Sequence, residues 1–334
     1  MKTLFITTEW PFGHQPFRAP FVKVLFDALQ AEHGDIHLYA IPIGRSIARI
    51  LDQRAVLSSI IDKGNFRHIH AYGLLSLFLV PHRFLHRCSV SLMGSDVMGH
   101  PTASGRYPVF DSLMVRFMAR RLRRTAGWRA VSKPLWHKAQ QWAVTSVPSL
   151  VLPNPIQFDY FPQLSQNQAR QHLGLDPLGA YVVFPSNTQR AVKNFTLAQR
   201  IMEEARRLTG SHDPKLLVPN KVTHREMNLY FRAANLTLLT SFHEGSPSVA
   251  KESLYCGVPL LSTPVGDVPE LLQETQMGRI FNINDSLTQV ALVLLEMLGS
   301  DQYNVGRGQA YCQEVYGPEL IAQKLWAFWR GLPL

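Results

Sequence analysis

Two carboxylates with seven residues between them, Glu244 and Glu252, bracket a turn-and-helix signal in the stretch 241–252, Ser-Phe-His-Glu-Gly-Ser-Pro-Ser-Val-Ala-Lys-Glu. The apolar run before it, residues 236–240, reads as a strand, so Glu244 falls at a strand's carboxyl end. Gly245 permits a tight turn or the close approach of a ligand. Ser246 can cap the next helix, Pro247 suits its first position, and Gly257 stops it after Cys256. The first N–H groups of that helix, near Ser248 and Val249, then form an anion site, with Glu252 about one turn inside. Carboxylates so placed can hold sugar or ribose hydroxyls through charge-assisted hydrogen bonds. The same pattern also fits an ordinary strand–loop–helix with a capping serine and two solvent-facing glutamates.

A second constellation follows the apolar run 181–184. Arg190 and Lys193 bracket the junction between a loop and a helix expected over residues 192–208. Two cations at a helix start suit a diphosphate, although two surface cations would look the same.

The elements that must position these groups alternate in type. Residues 2–7, 36–41, 68–71 and 90–93 read as strands in the first half. Residues 181–184, 216–219, 236–240 and 258–262 do so in the second. Helical patterns such as 20–29 and 248–256 lie between them. Such alternation implies parallel sheets with helices on both faces. Pro153, Pro155 and Pro162 interrupt regular structure near the middle of the chain. The expected architecture is therefore α/β, with two doubly wound, Rossmann-like domains facing across a cleft. The domains are expected over residues 1–155 and 156–334, the last helix being able to pack back on the first domain. Ligands of such sheets bind at the carboxyl ends of the strands.

Bulk properties narrow the class. With 334 residues, 46% of them hydrophobic, the chain can fill two cores. Cys88, Cys256 and Cys312 are odd in number and far apart, so neither a disulfide framework nor a zinc site is expected, and a reducing cytosol is favoured. No apolar run approaches the roughly 18 residues of a spanning helix, and the amino-terminal run reads as a buried strand rather than a signal peptide. Residues 1–150 carry 19 Lys+Arg against 8 Asp+Glu, whereas residues 151–334 carry 15 against 16. That excess suggests either an anionic partner for the first half or solubility alone. The segment 116–124 interleaves Arg116, Arg120, Arg121, Arg123 and Arg124 with apolar residues. It reads either as a core-packed helix with a charged outer face or as a dock for an anionic membrane. Nucleic acid is not expected as a partner, since no zinc-finger spacing or RNP-like aromatic motif is present.

Taken together, the motifs resemble family-4 glycosyltransferases, also called glycosyl transferases group 1: retaining enzymes of the GT-B fold. The resemblance rests on Glu244 and Glu252, then Cys256-Gly257-Val258-Pro259-Leu260 and Val265-Gly266-Asp267-Val268-Pro269-Glu270, and on the Arg190–Lys193–Asn194 loop. Weaker matches in the first half are Ile69-His70-Ala71-Tyr72-Gly73, Gly94-Ser95-Asp96-Val97, Ala130-Val131-Ser132 and Leu152-Pro153-Asn154-Pro155.

The resemblance implies a nucleotide-sugar donor and a glycan or lipid-linked acceptor, in cell-surface polysaccharide synthesis. Glu252 would bind ribose hydroxyls and Glu244 the donor sugar. Backbone N–H groups of Gly245, Ser246, Ser248 and Val249 would meet the sugar and phosphate. Arg190 and Lys193 would neutralise the departing diphosphate. No Asp-x-Asp motif is present, so neither a metal nor another cofactor is expected, and charge stabilisation falls to groups already in place. Gly13 is the one glycine in the loop after the first strand, where the family is often glycine-rich, with His14 and Arg18 beside it. Met93 stands where the family often has a histidine, so Asp96, His70 or Tyr72, each at an expected strand end, either takes over its part in catalysis or has a hydrogen-bonded structural role; His70 and Asp96 are the acceptor-side candidates. A cytoplasmic enzyme, peripheral on the inner membrane face, is the resulting expectation. A nucleotide-sugar epimerase of related fold and a catalytically weak glycan- or partner-binding protein are the alternatives.

Overall fold

The structure, a computed structural model, describes residues 1–12, 19–41, 47–99, 101–102, 117–141, 147–161, 164–210, 214–220, 222–300 and 303–334. Two compact units are present. The first holds Met1–Gly99, the described part of Tyr107–Pro155, and Pro318–Leu334; the second holds Ile156–Gly317.

The first unit is built on β1 (Thr3–Thr7), β2 (Ile36–Ala40), β3 (His68–Tyr72), β4 (Cys88–Leu92), β5 (Gly127–Ala130) and β6 (Ser149–Val151). All six strands run parallel in the order β2-β1-β3-β4-β5-β6. Every residue of β1, β3, β4 and β5 is buried, as a parallel sheet covered on both faces requires. The helix Pro20–His33 carries Val22, Leu25, Phe26 and Leu29 inward. The closing helix, Pro318–Arg330, packs beside it and adds Ile321, Ala322, Leu325 and Trp329 to the same core. The chain thus returns to the first unit for its last helix.

The second unit is built on β7 (Tyr181–Val183), β8 (Lys215–Leu217), β9 (Leu236–Leu239), β10 (Leu260–Ser262) and β11 (Gly278–Ile280). These too are parallel, in the order β11-β10-β9-β7-β8. The chain runs from β7 outward to β8, then crosses back to place β9 on the other side of β7. The β7/β9 boundary is therefore the switch point, where loops leave in opposite directions and open a crevice. The helix Phe195–Thr209 shows how sequence fixes a face. Ala198, Ile201, Met202 and Ala205, spaced at i, i+3, i+4 and i+7, are its buried residues. Gly210, at φ +68°, ends it.

The basic segment differs from its sequence reading. Residues 117–122 are helical, with Met118 and Leu122 in the core. Arg120, Arg123 and Arg124 are exposed, but Arg121 is buried. Its guanidinium donates to the carbonyl of Leu77 at 3.0 Å and to that of Val80. Those carbonyls lie at the end of a short helix, Leu74–Leu79, where they keep acceptor capacity for a guanidinium even though Leu77 O also accepts from the Val80 N–H at 3.2 Å. Arg116 lies outside the described residues. Among the described residues no helix is long and apolar enough to cross a membrane.

Candidate functional site

The loops at the β7/β9 switch point bring together the two constellations singled out in the sequence. Lys193 Nζ donates to Glu244 Oε1 at 2.5 Å, and Ser241 Oγ donates to the same oxygen at 2.7 Å. Burial pushes the Glu244 carboxyl up, but the charge and hydrogen bond of Lys193, the Ser241 bond and the nearby Arg190 outweigh it. The net direction is below the usual carboxylate value. Glu244 is thus held as an anion.

Lys193 reaches this position because the helix does not start where the sequence suggested. Ala191–Lys193 form a 3₁₀ turn, Asn194 takes φ +49°, and the α-helix begins at Phe195. The left-handed step at Asn194, a residue type that tolerates it, turns the loop toward β9. There Phe242 N–H donates to Val192 O at 2.9 Å. Thr240 Oγ1 donates to the carbonyls of Lys193 and Asn194 at 3.0 and 2.9 Å. Arg190, at the start of the turn, is exposed.

Glu252 lies on the helix Ser248–Tyr255 and is only 1% exposed, so the solvent-facing alternative fails. Its Oε1 stands 3.2 Å from Nε2 of His224. That contact is an ion pair, and neither Oε1 nor Oε2 has a hydrogen-bond partner among the described residues. Burial lowers the His224 pKa, but the charge of Glu252 and its close contact raise it further, so the imidazole ends above its ordinary 6.5. His224 opens the helix His224–Ala233, whose Thr223/Glu226 capping box fixes the first turn. Sequence reasoning missed His224. The signal that reveals it is that capping box directly after the strand 216–219, which puts a histidine at one more strand-to-helix junction.

Ser246 does not cap the helix as expected. The N-cap position is Pro247, with no side-chain bond. Ser246 Oγ instead donates to Asp267 Oδ2 at 2.7 Å and accepts from Lys251 Nζ at 2.5 Å. Lys251, fully buried, also stands 3.5 Å from Asp267 Oδ2 and lies over the ring of Tyr316. A buried ammonium and carboxylate offer Ser246 Oγ a stronger partnership than a backbone N–H. This cluster ties the loop after β9 to the loop after β10. The two loops touch so closely that a Cβ on Gly266 would fall 2.7 Å from the Gly245 carbonyl oxygen, and Gly266 sits at φ +56°. Only glycine meets both conditions. Gly245 itself is buried, with Ser248 and Val249 half-buried beside it.

In the first unit His70 is 0% exposed. Its Nδ1 pairs with Ser89 Oγ at 2.7 Å and its Nε2 with Ser91 Oγ at 3.0 Å, while Trp329 packs on the ring. Both nitrogens are engaged and no atom is open to an acceptor, so His70 is a core residue. Tyr72 is likewise buried, its hydroxyl donating to Asn154 Oδ1 at 2.7 Å. Asp96 accepts from the backbone N–H groups of Gly94 at 2.8 Å, Met93 at 3.0 Å and Leu74 at 3.2 Å. Its carboxylate fixes the loops after β3 and β4, a structural task that fills its lone pairs. Gly13, His14 and Arg18 lie outside the described residues. Among the described residues no group of His, Cys, Asp or Glu has the arrangement to hold a metal ion.

Residues 205–304 match the family model described as Glycosyl transferases group 1. Among curated relatives, a Bacillus subtilis (strain 168) protein named as a teichuronic acid biosynthesis glycosyltransferase is 28% identical over 56% of this chain and 49% of its own length. N-acetyl-alpha-D-glucosaminyl L-malate synthase of Bacillus anthracis is 31% identical over 25% of this chain and 22% of its own. The chain therefore spans about half the length of the first of these relatives and less than a quarter of the second. Among solved structures, sucrose-phosphate synthase from Thermosynechococcus elongatus superposes with a TM-score of 0.78 at 14% identity, covering 99% of this chain and 98% of that one. The Anabaena protein Alr3699/HepE, in complex with UDP and glucose, gives 0.72 at 13% identity over 99% and 100%. These likenesses establish the fold as that of the GT-B proteins, with two doubly wound α/β units.

Proposed function

We propose that this chain, whose residues 205–304 match the model of Glycosyl transferases group 1, is a retaining glycosyltransferase that moves a sugar from a nucleoside diphosphate donor to a glycan or lipid-linked acceptor in cell-surface polysaccharide synthesis. The observation that carries the reading is the buried carboxylate of Glu252. It is almost fully enclosed, and yet both its oxygens lack a hydrogen bond among the described residues, with only the ion-pair contact to His224 at 3.2 Å. A buried polar group in that state is rare and calls for an explanation, and a ribose hydroxyl supplies one. The relative that holds UDP and glucose supports a uridine nucleotide as the donor's leaving group.

In this reading Glu252 accepts from the ribose hydroxyls, and Glu244 meets the donor sugar. Backbone N–H groups from Gly245 to Val249 face the sugar and phosphate. Lys193 and Arg190 balance the negative charge that grows on the diphosphate as the anomeric C–O bond breaks and its electron pair leaves with the phosphate oxygen. Preorganised cations at a developing charge lower the barrier most, because they need no rearrangement when the charge appears. The Lys193–Glu244 pair holds both partners in order. No metal is needed for the donor phosphates. The test is calorimetry with UDP, GDP and ADP, followed by an assay of nucleotide release with and without acceptor. Binding of a nucleoside diphosphate and acceptor-dependent release support the reading. A folded protein that binds none of the three overturns it, and an isomerised donor without release would make the protein an epimerase.

We also propose work at the inner face of the membrane, in the cytoplasm, through the basic surface of the first unit. Arg120, Arg123 and Arg124 are exposed there. Phe117, 46% exposed, sits beside them against Phe78. Arg124 also contacts His82, on the 3₁₀ turn His82–Arg87 that carries Arg83 and Arg87.

A further inference from the structure

The geometry points to His224 as the residue that positions Glu252 for a ribose diol: its Nε2 stands 3.2 Å from Oε1 as an ion-pair partner, and neither carboxylate oxygen has a hydrogen bond among the described residues. This rests on the nucleotide reading above and assigns a role to a residue outside the motif that carries it. Three features build the argument.

The first is that Glu252 needs a partner. At 1% exposure an ionised carboxylate without a cation or hydrogen bonds would be strongly disfavoured, and it would neutralise or turn away. Ser248–Tyr255, the helix that bears Glu252, also contributes Lys251, but that ammonium is committed to Ser246 and Asp267. Among the described residues, His224 is the basic side chain that forms an ion pair with Glu252.

The second is that His224 is itself held. The Thr223/Glu226 capping box sets the backbone of the residue. The ring of Tyr160 meets the imidazole edge-on at 5.9 Å. Tyr160 is anchored in turn through its carbonyl, which accepts from Asn228 Nδ2 at 3.0 Å on the same helix as His224. A side chain fixed from two sides can fix another.

The third is the valence left over. A carboxylate oxygen accepts about two hydrogen bonds. With His224 on Oε1, one site remains there and two remain on Oε2, enough for the two hydroxyls of a vicinal diol. A carboxylate free to rotate would meet those hydroxyls only part of the time, and the lost order would appear as lost affinity. His224 touches the nucleotide only through Glu252, so its effect should vanish when the hydroxyls are absent.

That dependence supplies the experiment. Affinity is measured by calorimetry for UDP, GDP and ADP, and for the 2′,3′-dideoxy form of the tightest binder. The wild-type chain should favour the ribonucleotide by about tenfold or more, the worth of a charge-assisted hydrogen bond. In His224→Ala the ribonucleotide should weaken about tenfold while the dideoxynucleotide is unchanged. His224→Gln, which keeps an amide donor, should recover part of the preference, and it serves as the folded probe if the alanine variant does not fold. If wild type binds no nucleotide, the reading of the site fails and the inference with it. If wild type prefers the ribonucleotide and the folded His224 variants keep that preference undiminished, or lose both nucleotides equally, the site stands and the positioning role of His224 is overturned.

Discussion

Two buried polar networks, one in each unit, are arranged in opposite ways. In the first, the groups close on one another. His68 Nε2 and His70 Nδ1 share Ser89 Oγ, His70 Nε2 takes Ser91 Oγ, and the chain of contacts runs on to Arg129. Arg129, fully buried, donates to the carbonyls of Leu152 and Pro153 at 2.8 and 2.7 Å and to Asn154 Oδ1 at 2.8 Å. Tyr72 gives its hydroxyl to that same Asn154 oxygen. In the second unit the orphaned carboxylate oxygens among the described residues are found, at Glu252 and Asp267. Polar burial alone therefore does not mark a site. A closed network fixes strands in register, whereas a network with acceptors left over is shaped for something else to complete it.

The largest expected effect tests the closed network. Burial depresses His68 to about 3, and His70 falls well below its ordinary 6.5 for the same reason, with His68 and Arg129 adding to it. Both are neutral in the fold and take up protons when the chain unfolds below pH 6.5. Stability must then fall as pH falls, by about 1.4 kcal/mol per pH unit for each histidine, or about 4 kcal/mol for the pair by pH 5. His224 has the opposite sign. Its raised pKa contributes stability that is complete below 6.5 and is lost as pH rises through the folded value. Urea unfolding between pH 5 and 8 should show the acid loss, and His68→Gln with His70→Gln should remove it. An unchanged acid loss in that double variant would mean that the first unit's network is not what titrates.

Next in size is the charge at the switch point. Lys193→Ala should lower turnover by about 100-fold, the scale for losing one preorganised charge-stabilising group, with a smaller change in donor affinity. Arg190→Ala should act in the same direction and less strongly, since Arg190 is exposed. Steady-state kinetics in excess chelator check both points. A change confined to KM would remove the leaving-group role, and strict metal dependence would contradict charge balance by cations alone.

Glu252→Ala comes third. It should weaken nucleoside diphosphate binding by about 1.5–3 kcal/mol, the range for a hydrogen bond to a charged group, while the fold is kept. Calorimetry that finds equal affinity in the folded variant takes Glu252 out of the site and with it the contrast between open and closed networks.

The parts legible in the sequence share one property: they depend on neighbours along the chain. The βα alternation, the strand ends that carry Glu244 and Lys193, and the helix start at Ser248 all follow from local pattern. Ser246 and His70 were misjudged because their partners are distant. Ser246 is claimed by Asp267, twenty-one positions on, and His70 by Ser89, nineteen positions on and one strand over. His224 and Glu252 meet across two strand-to-helix junctions, so no spacing rule links them. Arg121 was read as outward with its neighbours, because helical periodicity does not show that two carbonyls of another helix end beneath it. Asn194 made the helix begin late, a single left-handed residue that an otherwise good helical pattern conceals.

The smallest effect per residue concerns the charge contrast between the halves, 19 Lys+Arg against 8 Asp+Glu in residues 1–150 and 15 against 16 in residues 151–334. If that excess serves a membrane, each basic residue near an anionic surface contributes only about 1 kcal/mol, so binding must come from several together. Arg120, Arg123 and Arg124 are exposed and able to do so, whereas Arg121 is committed to Leu77 and Val80. Co-sedimentation should therefore show binding to vesicles that contain phosphatidylglycerol and not to neutral ones. It should be stronger at 0.1 M salt, where the screening length is about 10 Å, than at 1 M, where it is about 3 Å. Replacing Arg120, Arg123 and Arg124 with Gln should release the protein from vesicles and leave its stability unchanged. Replacing Arg121 should do the reverse in the first respect: the folded fraction should still bind, but less of it should fold, because the carbonyls of Leu77 and Val80 lose the guanidinium. Equal binding to neutral and anionic vesicles, or retention by the triple variant, would show that the excess charge acts elsewhere on the first unit or serves solubility alone.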